Sequence, residues 1–266
     1  MKLRMFQVDA FATDGVFTGN PAAVLPLTAW LDDDTMQRIA AENNLAETAF
    51  VVPEGADHAI RWMTPRVEVD LCGHATLAAG FVILDVLRPG APEVRFGSRS
   101  GPLRVFRDGD RLSLDFPVTP LERGEVVPAF AEALGVRPLE VWSSSRDSFA
   151  VLPSVEDVAG LRPSMTKLEE LGRPVCVTAA GGPQGADFVS RFFAPTFGIP
   201  EDPATGSTHT SLVPYWEERL GRARLHARQL SPRGAELLCE RRGDRVMIAG
   251  RAALYLDGTI EVPERR

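Results

Sequence analysis

Glu47 is the residue whose type and setting most suggest chemistry, because it is an acid inside an apolar segment. In residues 45–52, LAETAFVV, strand alternation places Leu45, Glu47, Ala49 and Val51 on one face, and the opposite face is also mostly apolar. We therefore expect a strand buried on both faces with a carboxylate in its middle. Burial raises a carboxyl pKa, and a near-neutral pKa suits a group that shuttles protons. A structural ion pair, or a register that turns Glu47 to solvent, is the competing interpretation.

Two short turns, each a glycine followed by a polar residue, begin apolar helices. They are Gly73-His74 and Gly206-Ser207. The helices predicted after them cover residues 75–87 and 205–221, and the first is apolar nearly all round, so it must be buried. Helix N-termini present unpaired backbone N–H groups that bind anions. If the two turns face one cleft, they suit a carboxylate substrate, although ordinary capping would also account for each turn.

Three side chains beside these turns have more than one possible role. Asp202, four residues before Gly206, is either a helix-entry acid or a second catalytic acid. His74 either contacts the substrate, titrates as a partner of Glu47, or caps its helix. Cys72 is either a base whose pKa the helix N-terminus lowers or a buried inert thiol.

Several familiar cofactor and metal motifs are absent from the sequence. There is no G-x-S-x-G elbow, no phosphate-binding loop and no G-x-G-x-x-G fingerprint. Cys72, His74 and His209 do not follow a recognised zinc spacing. We therefore expect neither a metal nor a nucleotide or flavin cofactor.

The bulk composition narrows the class of protein further. The 266 residues are 44% hydrophobic, enough for a packed core, and 29 Lys and Arg against 36 Asp and Glu give a formal charge of −7. Such a balance does not favour binding to nucleic acid or to an anionic membrane. Three widely spaced cysteines, the lack of a signal-peptide pattern and apolar runs too short to cross a bilayer predict a cytoplasmic enzyme.

The order of elements suggests two similar halves. Asp32 to Asp34 precede a predicted helix with Met36, Ile39 and Ala40 turned inward, and the chain closes on a predicted hairpin at 250–262. The glycines of the two turns are separated by 206 − 73 = 133 residues, half of 266. We take this spacing as a hint of two halves that each wrap strands around a buried helix, with coincidence as the alternative.

Five segments in order resemble the PhzF-like family of phenazine biosynthesis, which is related to diaminopimelate epimerase. They are VDAFATDGVFTGNPAAV, ENNLAETAFV, TPRVEVDLCGHATLAAG, EDPATGSTHTSLVPYW and GRAALYLDG. The resemblance runs from end to end and implies an α+β fold of two pseudo-symmetric domains, each a β-barrel-like sheet around a central helix. We expect residues 1–117, with a C-terminal strand at about 256–266, to wrap helix 74–87, and residues 118–255 to wrap helix 205–220.

The same resemblance implies a site between the domains of a homodimeric, cofactor-independent isomerase. Glu47 would be the general acid/base, and His74 and Asp202 would be the other catalytic residues. The residues expected to bind substrate are Asn20, Gly73, His74, Gly206 and Ser207. In the phenazine enzyme these groups surround trans-2,3-dihydro-3-hydroxyanthranilate, so we expect a small carboxylate as the partner, with no nucleic acid and no membrane.

The sequence also departs from the phenazine enzyme in ways that leave alternatives open. Ala46 replaces a serine, and Cys72-Gly73-His74-Ala75 replaces A-G-H-P. Cys72 resembles the first catalytic thiol of the epimerase, whereas the second thiol has no counterpart near Asp202. Three interpretations remain: a Glu47-dependent isomerase, a Cys72-dependent amino-acid racemase or epimerase, and a catalytically silent binder of small molecules.

Overall fold

The computed structural model describes residues 1–263, and the chain divides into two compact units. Unit 1 comprises Met1–Asp115 and the C-terminal segment from Ala249, and unit 2 comprises Phe116–Ile248. The return to unit 1 comes earlier than the expected residue 256, because pairing with the N-terminal strand already begins at Arg251. Residues 264–266, the end of the predicted C-terminal strand, lie outside the described residues.

Residues 1–263 form seventeen strands and six α-helices. The strands are β1 Lys2–Ala12, β2 Asn20–Pro26, β3 Glu47–Glu54, β4 Asp57–Met63, β5 Glu68–Val69, β6 Glu93–Ser98, β7 Gly101–Asp108, β8 Arg111–Pro117, β9 Glu122–Gly124, β10 Glu140–Ser143, β11 Ser148–Val151, β12 Val175–Ala180, β13 Phe188–Ala194, β14 Ile199–Asp202, β15 Arg224–Gln229, β16 Ala235–Arg242 and β17 Arg245–Glu261. The helices are α1 Asp33–Asn43, α2 Gly73–Phe81, α3 Pro128–Leu134, α4 Val155–Ala159, α5 Met165–Glu170 and α6 Gly206–Leu220. Short 3₁₀ turns cover Pro183–Gly185 and Pro195–Phe197.

Unit 1 is a closed barrel of eight strands around α2. Pairing runs β17–β1–β2–β3–β4–β6–β7–β8, and β8 pairs in turn with β17. The β2–β3 and β4–β6 pairs are parallel. Helix α2 is buried from Gly73 to Gly80 and contacts β1, β2, β3 and β7. The predicted helix without a polar face is therefore the centre of this barrel.

The end of the central helix differs from the sequence prediction. We expected one continuous helix over 75–87, whereas the α-helical part ends at Phe81 and Val82–Leu87 forms a π-helical turn. The Arg88 N–H bonds to the carbonyl of Ile83 at 2.7 Å, a wider turn than an α-helix makes. The helix still ends where the Arg88-Pro89-Gly90 sequence predicted.

Unit 2 has two layers on its sheet. On one face, α3, α4 and α5 pack an apolar cluster against β10 to β13, with Leu134, Val158 and Leu168 at its centre. On the other face lies α6, which contacts β15 and β16 and is buried at most positions from Gly206 to Trp216. The β11–β12 and β13–β15 pairs are parallel.

Two local predictions had opposite outcomes. The first helix is confirmed, because Asp32 accepts the Thr35 N–H at 3.0 Å and Met36, Ile39 and Ala40 are buried. The predicted hairpin at 250–262 is wrong, because Arg245–Glu261 forms the single long strand β17.

The Asp257-Gly258 step reads as a turn in the sequence but stays extended along β1. Gly258 pairs with Met5, and the Arg4 guanidinium donates to both Asp257 carboxylate oxygens at 3.0 and 2.8 Å. These long-range partners hold the chain straight. Among residues 1–263, the structure has no helix with the length and apolar character required to span a bilayer.

Candidate active site

Glu47 is sheltered, but at the start of its strand rather than in the middle. We expected a strand over 45–52, whereas α1 ends at Asn43 and Asn44 takes a left-handed φ of 49°. Leu45 and Ala46 belong to that turn, so β3 begins at Glu47, opposite Ala22 of β2. The Glu47 side chain is 13% exposed, and the strand after it is buried from Thr48 to Val52. The carboxylate therefore lies at one end of the barrel wall.

His74, the second residue of α2, faces this carboxylate. Its Nε2 lies 3.2 Å from Glu47 Oε2, in a close contact that lacks the alignment of a hydrogen bond. Burial lowers the pKa of His74 to about 3, so the imidazole is neutral at physiological pH.

The tautomer of His74 follows from its other neighbour. Asn20, buried at the start of β2, has its amide Nδ2 3.1 Å from His74 Nδ1. An amide nitrogen can only donate, so His74 Nδ1 accepts and the ring proton is on Nε2. A neutral N–H group therefore lies beside the Glu47 carboxylate, 3.2 Å from Oε2.

Cys72 completes the cluster in unit 1. Its Sγ lies 3.5 Å from His74 Nδ1, and the residue is 6% exposed. One ligand atom each from Glu47, Cys72 and His74 lie within 4.8 Å of one another, and these are atom types that bind Zn²⁺. The sequence analysis expected no metal site, because Cys72, His74 and His209 follow no recognised zinc spacing. Spacing could not show that Glu47 joins Cys72 and His74 from a separate strand. This cluster is where a metal would bind.

The two predicted anion sites are helix starts without a side-chain cap. Helices α1, α4 and α5 are capped by Asp32, Ser154 and Ser164. In contrast, neither the side chain of Cys72 before α2 nor that of Thr205 before α6 accepts a hydrogen bond from its helix. The first N–H groups of α2 and of α6 therefore have no side-chain cap, and uncapped N–H groups of this kind can bind an anion. Gly73 and His74 supply them in unit 1, and Gly206 and Ser207 supply them in unit 2.

Asp202 ends β14 in unit 2 and is 8% exposed. Its carboxylate accepts the Thr205 hydroxyl. The buried Gln229 side chain donates to the Asp202 carbonyl at 2.7 Å and accepts the Thr205 N–H at 2.9 Å. Ser231 donates to the Pro203 carbonyl at 2.9 Å. The loop that leads into α6 is thus held by the side chains of Gln229, the last residue of β15, and Ser231, just after it.

The structure thus groups the predicted residues within each unit. Glu47, His74, Cys72 and Asn20 form one cluster in unit 1, and Asp202 lies beside the start of α6 in unit 2. Sequence reasoning missed Gln229, although a signal was present. Leu225, Ala227 and Gln229 alternate on the inward face of β15, so a buried amide was foreseeable there.

A barrel of strands around an apolar helix is the architecture of the diaminopimelate epimerase-like proteins. A crystal structure of a PhzF-family protein from Enterococcus faecalis matches with a TM-score of 0.94 and 45% identity, covering 98% of this chain and 100% of that one. A predicted epimerase from Pseudomonas aeruginosa matches with a TM-score of 0.73 and 25% identity, covering 99% and 100%. The predicted fold class is therefore confirmed.

Sequence comparison gives the family. The family profile of the phenazine biosynthesis-like proteins, PhzC-PhzF, matches residues 8–258. An uncharacterized isomerase from Pseudomonas aeruginosa is 51% identical over 263 residues, which cover 98% of this chain and 100% of that protein. The chain belongs to the phenazine biosynthesis-like (PhzF) family and is an isomerase, as the sequence motifs predicted.

Proposed function

We propose that this isomerase moves a proton on a small carboxylated substrate with Glu47 as the general acid/base and without a cofactor. The reaction would be similar to that of trans-2,3-dihydro-3-hydroxyanthranilate isomerase. The observation that carries the proposal is the 3.2 Å contact between Glu47 Oε2 and Nε2 of the neutral, buried His74. A sheltered carboxylate beside an uncharged donor can accept a proton and return it.

The neutral state of His74 matters for this role. A cationic imidazole would favour the ionised form of Glu47 and make it a weaker base. An uncharged Nε2–H instead leaves the carboxylate free to change its charge, so Glu47 alternates between base and conjugate acid. In the proposed cycle, the carboxylate takes a proton from a carbon of the substrate and the acid delivers it to another carbon.

The substrate carboxylate has a place at the uncapped start of α2. The N–H groups at this helix start belong to Gly73 and His74, and the His74 side chain is the one that lies against Glu47. An anion held there would bring its neighbouring carbon atoms towards Glu47. Asp202, Gly206 and Ser207 enter the proposal through the family resemblance, as a second acid and a second anion site.

Replacement of the proposed base is the direct test. We expect Glu47→Gln, which keeps shape and removes the titrating group, to lower turnover of trans-2,3-dihydro-3-hydroxyanthranilate by about 10²- to 10⁴-fold. Circular dichroism should show an unchanged fold. Asp157→Asn is the matched control, because that acid caps α4 with Ser154 and lies outside the cluster. Full turnover by Glu47→Gln would refute the proposal.

Cys72 supports a second candidate function, an amino-acid racemase or epimerase. The observation in its favour is the 3.5 Å separation of Cys72 Sγ from His74 Nδ1, which makes the thiol a neighbour of a possible proton acceptor. Cys72→Ala separates the two candidates. It abolishes racemisation if the thiol is a base, and it leaves Glu47-dependent turnover within about threefold if the thiol only packs.

Assembly and location also enter as predictions. The family resemblance implies a homodimer, which light scattering coupled to size exclusion can test. The three cysteines Cys72, Cys176 and Cys239 are all buried free thiols, in keeping with the cytoplasmic location that we propose.

A further inference from the structure

Three side chains with different donor atoms meet at the start of α2 in unit 1. Cys72 Sγ lies 3.5 Å from His74 Nδ1, and Glu47 Oε2 lies 3.2 Å from His74 Nε2. One ligand atom from each residue lies within 4.8 Å of the other two. Within residues 1–263 this is the only group of three or more His, Cys, Asp or Glu side chains that lie so close together. Sulfur, nitrogen and oxygen donors therefore share one small region of the barrel.

Two regular elements hold these donors in place. The Cys72 carbonyl accepts the Thr76 N–H at 3.1 Å and the Thr76 hydroxyl at 2.5 Å, which fixes the backbone before α2. His74 lies in the first turn of the same helix, and Glu47 begins β3, which contacts α2. Cys72 and His74 are buried, whereas the Glu47 side chain is 13% exposed. The cluster is thus preformed, and solvent reaches it on the Glu47 side.

The His74 ring has one nitrogen with a hydrogen-bond partner and one without. Asn20 Nδ2 lies 3.1 Å from Nδ1, whereas Nε2 is buried and makes no hydrogen bond within residues 1–263. A buried polar atom without such a partner is costly and indicates a ligand from outside the chain. When an imidazole binds a metal ion through one nitrogen, its other nitrogen donates a proton to a nearby oxygen. Asn20 can provide that oxygen by turning its amide.

The charges and donor types of the cluster fit a divalent cation such as Zn²⁺. A thiolate and a carboxylate carry two negative charges and the neutral imidazole carries none, so a doubly charged ion gives a neutral buried complex. Donor atoms around tetrahedral Zn²⁺ lie roughly 3.2–3.8 Å apart, since zinc–ligand bonds are about 2.0–2.3 Å long. Shifts of about 1 Å bring the three donors to that geometry. Mg²⁺ and Ca²⁺ prefer oxygen donors and do not fit.

We propose that Glu47, Cys72 and His74 bind one Zn²⁺ ion and that this ion inhibits the isomerase. The ion binds the carboxylate that accepts the substrate proton, so metal binding and proton transfer exclude each other. On binding, the Cys72 thiol releases one proton to solvent, and the imidazole proton moves from Nε2 to Nδ1. Metal binding is independent of the proposed function, whereas inhibition rests on Glu47 being the base.

Co²⁺ is the probe for the metal site, because ligation by a thiolate gives a charge-transfer absorption band that carboxylate and imidazole ligands alone do not give. Metal-free protein, kept reduced with a phosphine, is titrated with CoCl₂ at pH 7.5. We expect one thiolate-bound Co²⁺ per chain, which ZnCl₂ displaces and MgCl₂ does not. Cys72→Ala should abolish the band and weaken Zn²⁺ binding by about 100-fold or more, since a direct ligand is lost.

Cys239→Ala is the matched control for Cys72→Ala. Cys239 is also a buried free thiol, but it belongs to β16 in unit 2. This variant should keep the charge-transfer band and the wild-type affinity for Zn²⁺. A wild-type protein without the band, or a Cys72→Ala protein that retains it, overturns the inference.

Turnover in the presence of Zn²⁺ tests the inhibition. Saturating ZnCl₂ should lower wild-type turnover of trans-2,3-dihydro-3-hydroxyanthranilate by about 10²-fold or more, as for loss of the base, and EDTA should restore it. MgCl₂ at the same concentration should have no effect. For Cys72→Ala, measured against its own uninhibited rate, half-inhibition should require about 100-fold more Zn²⁺. Zn²⁺ that displaces Co²⁺ from the wild-type protein without lowering its turnover overturns the inhibition.

The two proposals fail separately in these experiments. Full turnover by Glu47→Gln refutes the proposed base, and the cobalt band of the wild-type protein still reports on the metal site. A Glu47→Gln protein without turnover, together with a wild-type protein without the cobalt band, supports the base and overturns the metal site alone.

Discussion

At the scale of single residues, the candidate base depends on the Asn20 amide, which is two contacts away from Glu47. Asn20 donates to Nδ1 of His74 at 3.1 Å, and His74 presents Nε2 to Glu47 at 3.2 Å. The buried amide thus decides which nitrogen carries the proton. In the proposed mechanism Asn20 would be a positioning residue rather than the substrate-binding residue that the family resemblance implies, since it would act on Glu47 through the imidazole.

Reversing the direction of the Asn20–His74 hydrogen bond tests whether Asn20 acts on Glu47 through His74. Asn20→Asp replaces the donor by an acceptor of the same size, so His74 must protonate Nδ1 and turn an unprotonated Nε2 towards Glu47. We expect kcat to fall by about 10²-fold or more with little change in KM, because the wrong tautomer repels the carboxylate. Steady-state kinetics over a range of pH should show an altered profile.

Asn20→Ser is the control for Asn20→Asp, because a hydroxyl can still donate to His74 Nδ1. It should retain most of the activity that Asn20→Asp loses. Equal losses in the two variants would mean that Asn20 contributes packing only, and that the tautomer of His74 does not matter.

At the scale of elements, the loop before β2 and the packing of α2 place these side chains. The loop is tight: a Cβ on Gly19 would lie 2.3 Å from the Ala10 carbonyl oxygen, and φ at Gly19 is 68°. Phe17 also has a positive φ, 72°, and its N–H donates to Asp9 Oδ2 at 2.8 Å. A left-handed phenylalanine costs free energy, so the Asp9 contact holds a strained turn that delivers Asn20.

Helix α2 lies unusually close to the barrel wall at Gly80. A Cβ built there would be 2.5 Å from Cγ1 of Val105 in β7. We expect Gly80→Ala to destabilise the protein by about 1–3 kcal/mol through overpacking, more than the ~1 kcal/mol that alanine gains in a helix. Because α2 positions His74, turnover should fall as well. Denaturant unfolding and turnover assays measure the two effects.

Gly124 in β9 is the control for the Gly80 substitution. Its built Cβ would meet no atom closer than 3.6 Å, which is ordinary contact. Gly124→Ala should change the free energy of unfolding by no more than about 0.5 kcal/mol. A Gly80→Ala protein as stable as Gly124→Ala would show that the helix can shift without cost.

The π-helical turn that follows α2 is bound by the side chain of Arg107. Arg107 of β7 donates to the Leu84 carbonyl at 2.6 Å and pairs with Asp85 at the same distance. A π turn leaves carbonyl groups that the α-helical pattern would have used. The Arg107 side chain satisfies one of them and fixes the helix end.

At the scale of the whole molecule, buried titratable groups tie stability to pH. Burial lowers the pKa of His74 to about 3 and that of His209 to about 4, and burial raises the pKa of Asp147 to about 6. Between pH 4 and 6 the unfolded chain protonates both histidines and leaves the aspartate ionised. The folded chain protonates only Asp147. The unfolded state therefore binds about one proton more in this window.

Stability should consequently fall as the pH drops from about 6 to about 4. One excess proton on the unfolded chain corresponds to about 1.4 kcal/mol per pH unit. Chemical denaturation at several pH values measures this slope. Asp147→Asn should steepen it towards two protons, whereas His209→Gln should flatten it. A stability that rises on acidification would contradict the neutral state of the two histidines.

Much of this molecule was predictable from its sequence, because periodicity records how each element is buried. The apolar run after Gly73 required an internal helix, and Asp32 before an amphipathic segment required a capped one. The order of motifs around Glu47, His74 and Asp202 placed the chain in its family. Each of these inferences uses residues that are neighbours along the chain.

The tertiary structure decided what depends on contacts between distant residues. Only β3 against α2 brings Glu47 to His74, and only the start of β2 sets the tautomer through Asn20. Pairing with β1 straightened Asp257-Gly258, which by itself reads as a turn. Burial is encoded locally by residue type, whereas the partner of a buried polar group is fixed by strand register and helix packing.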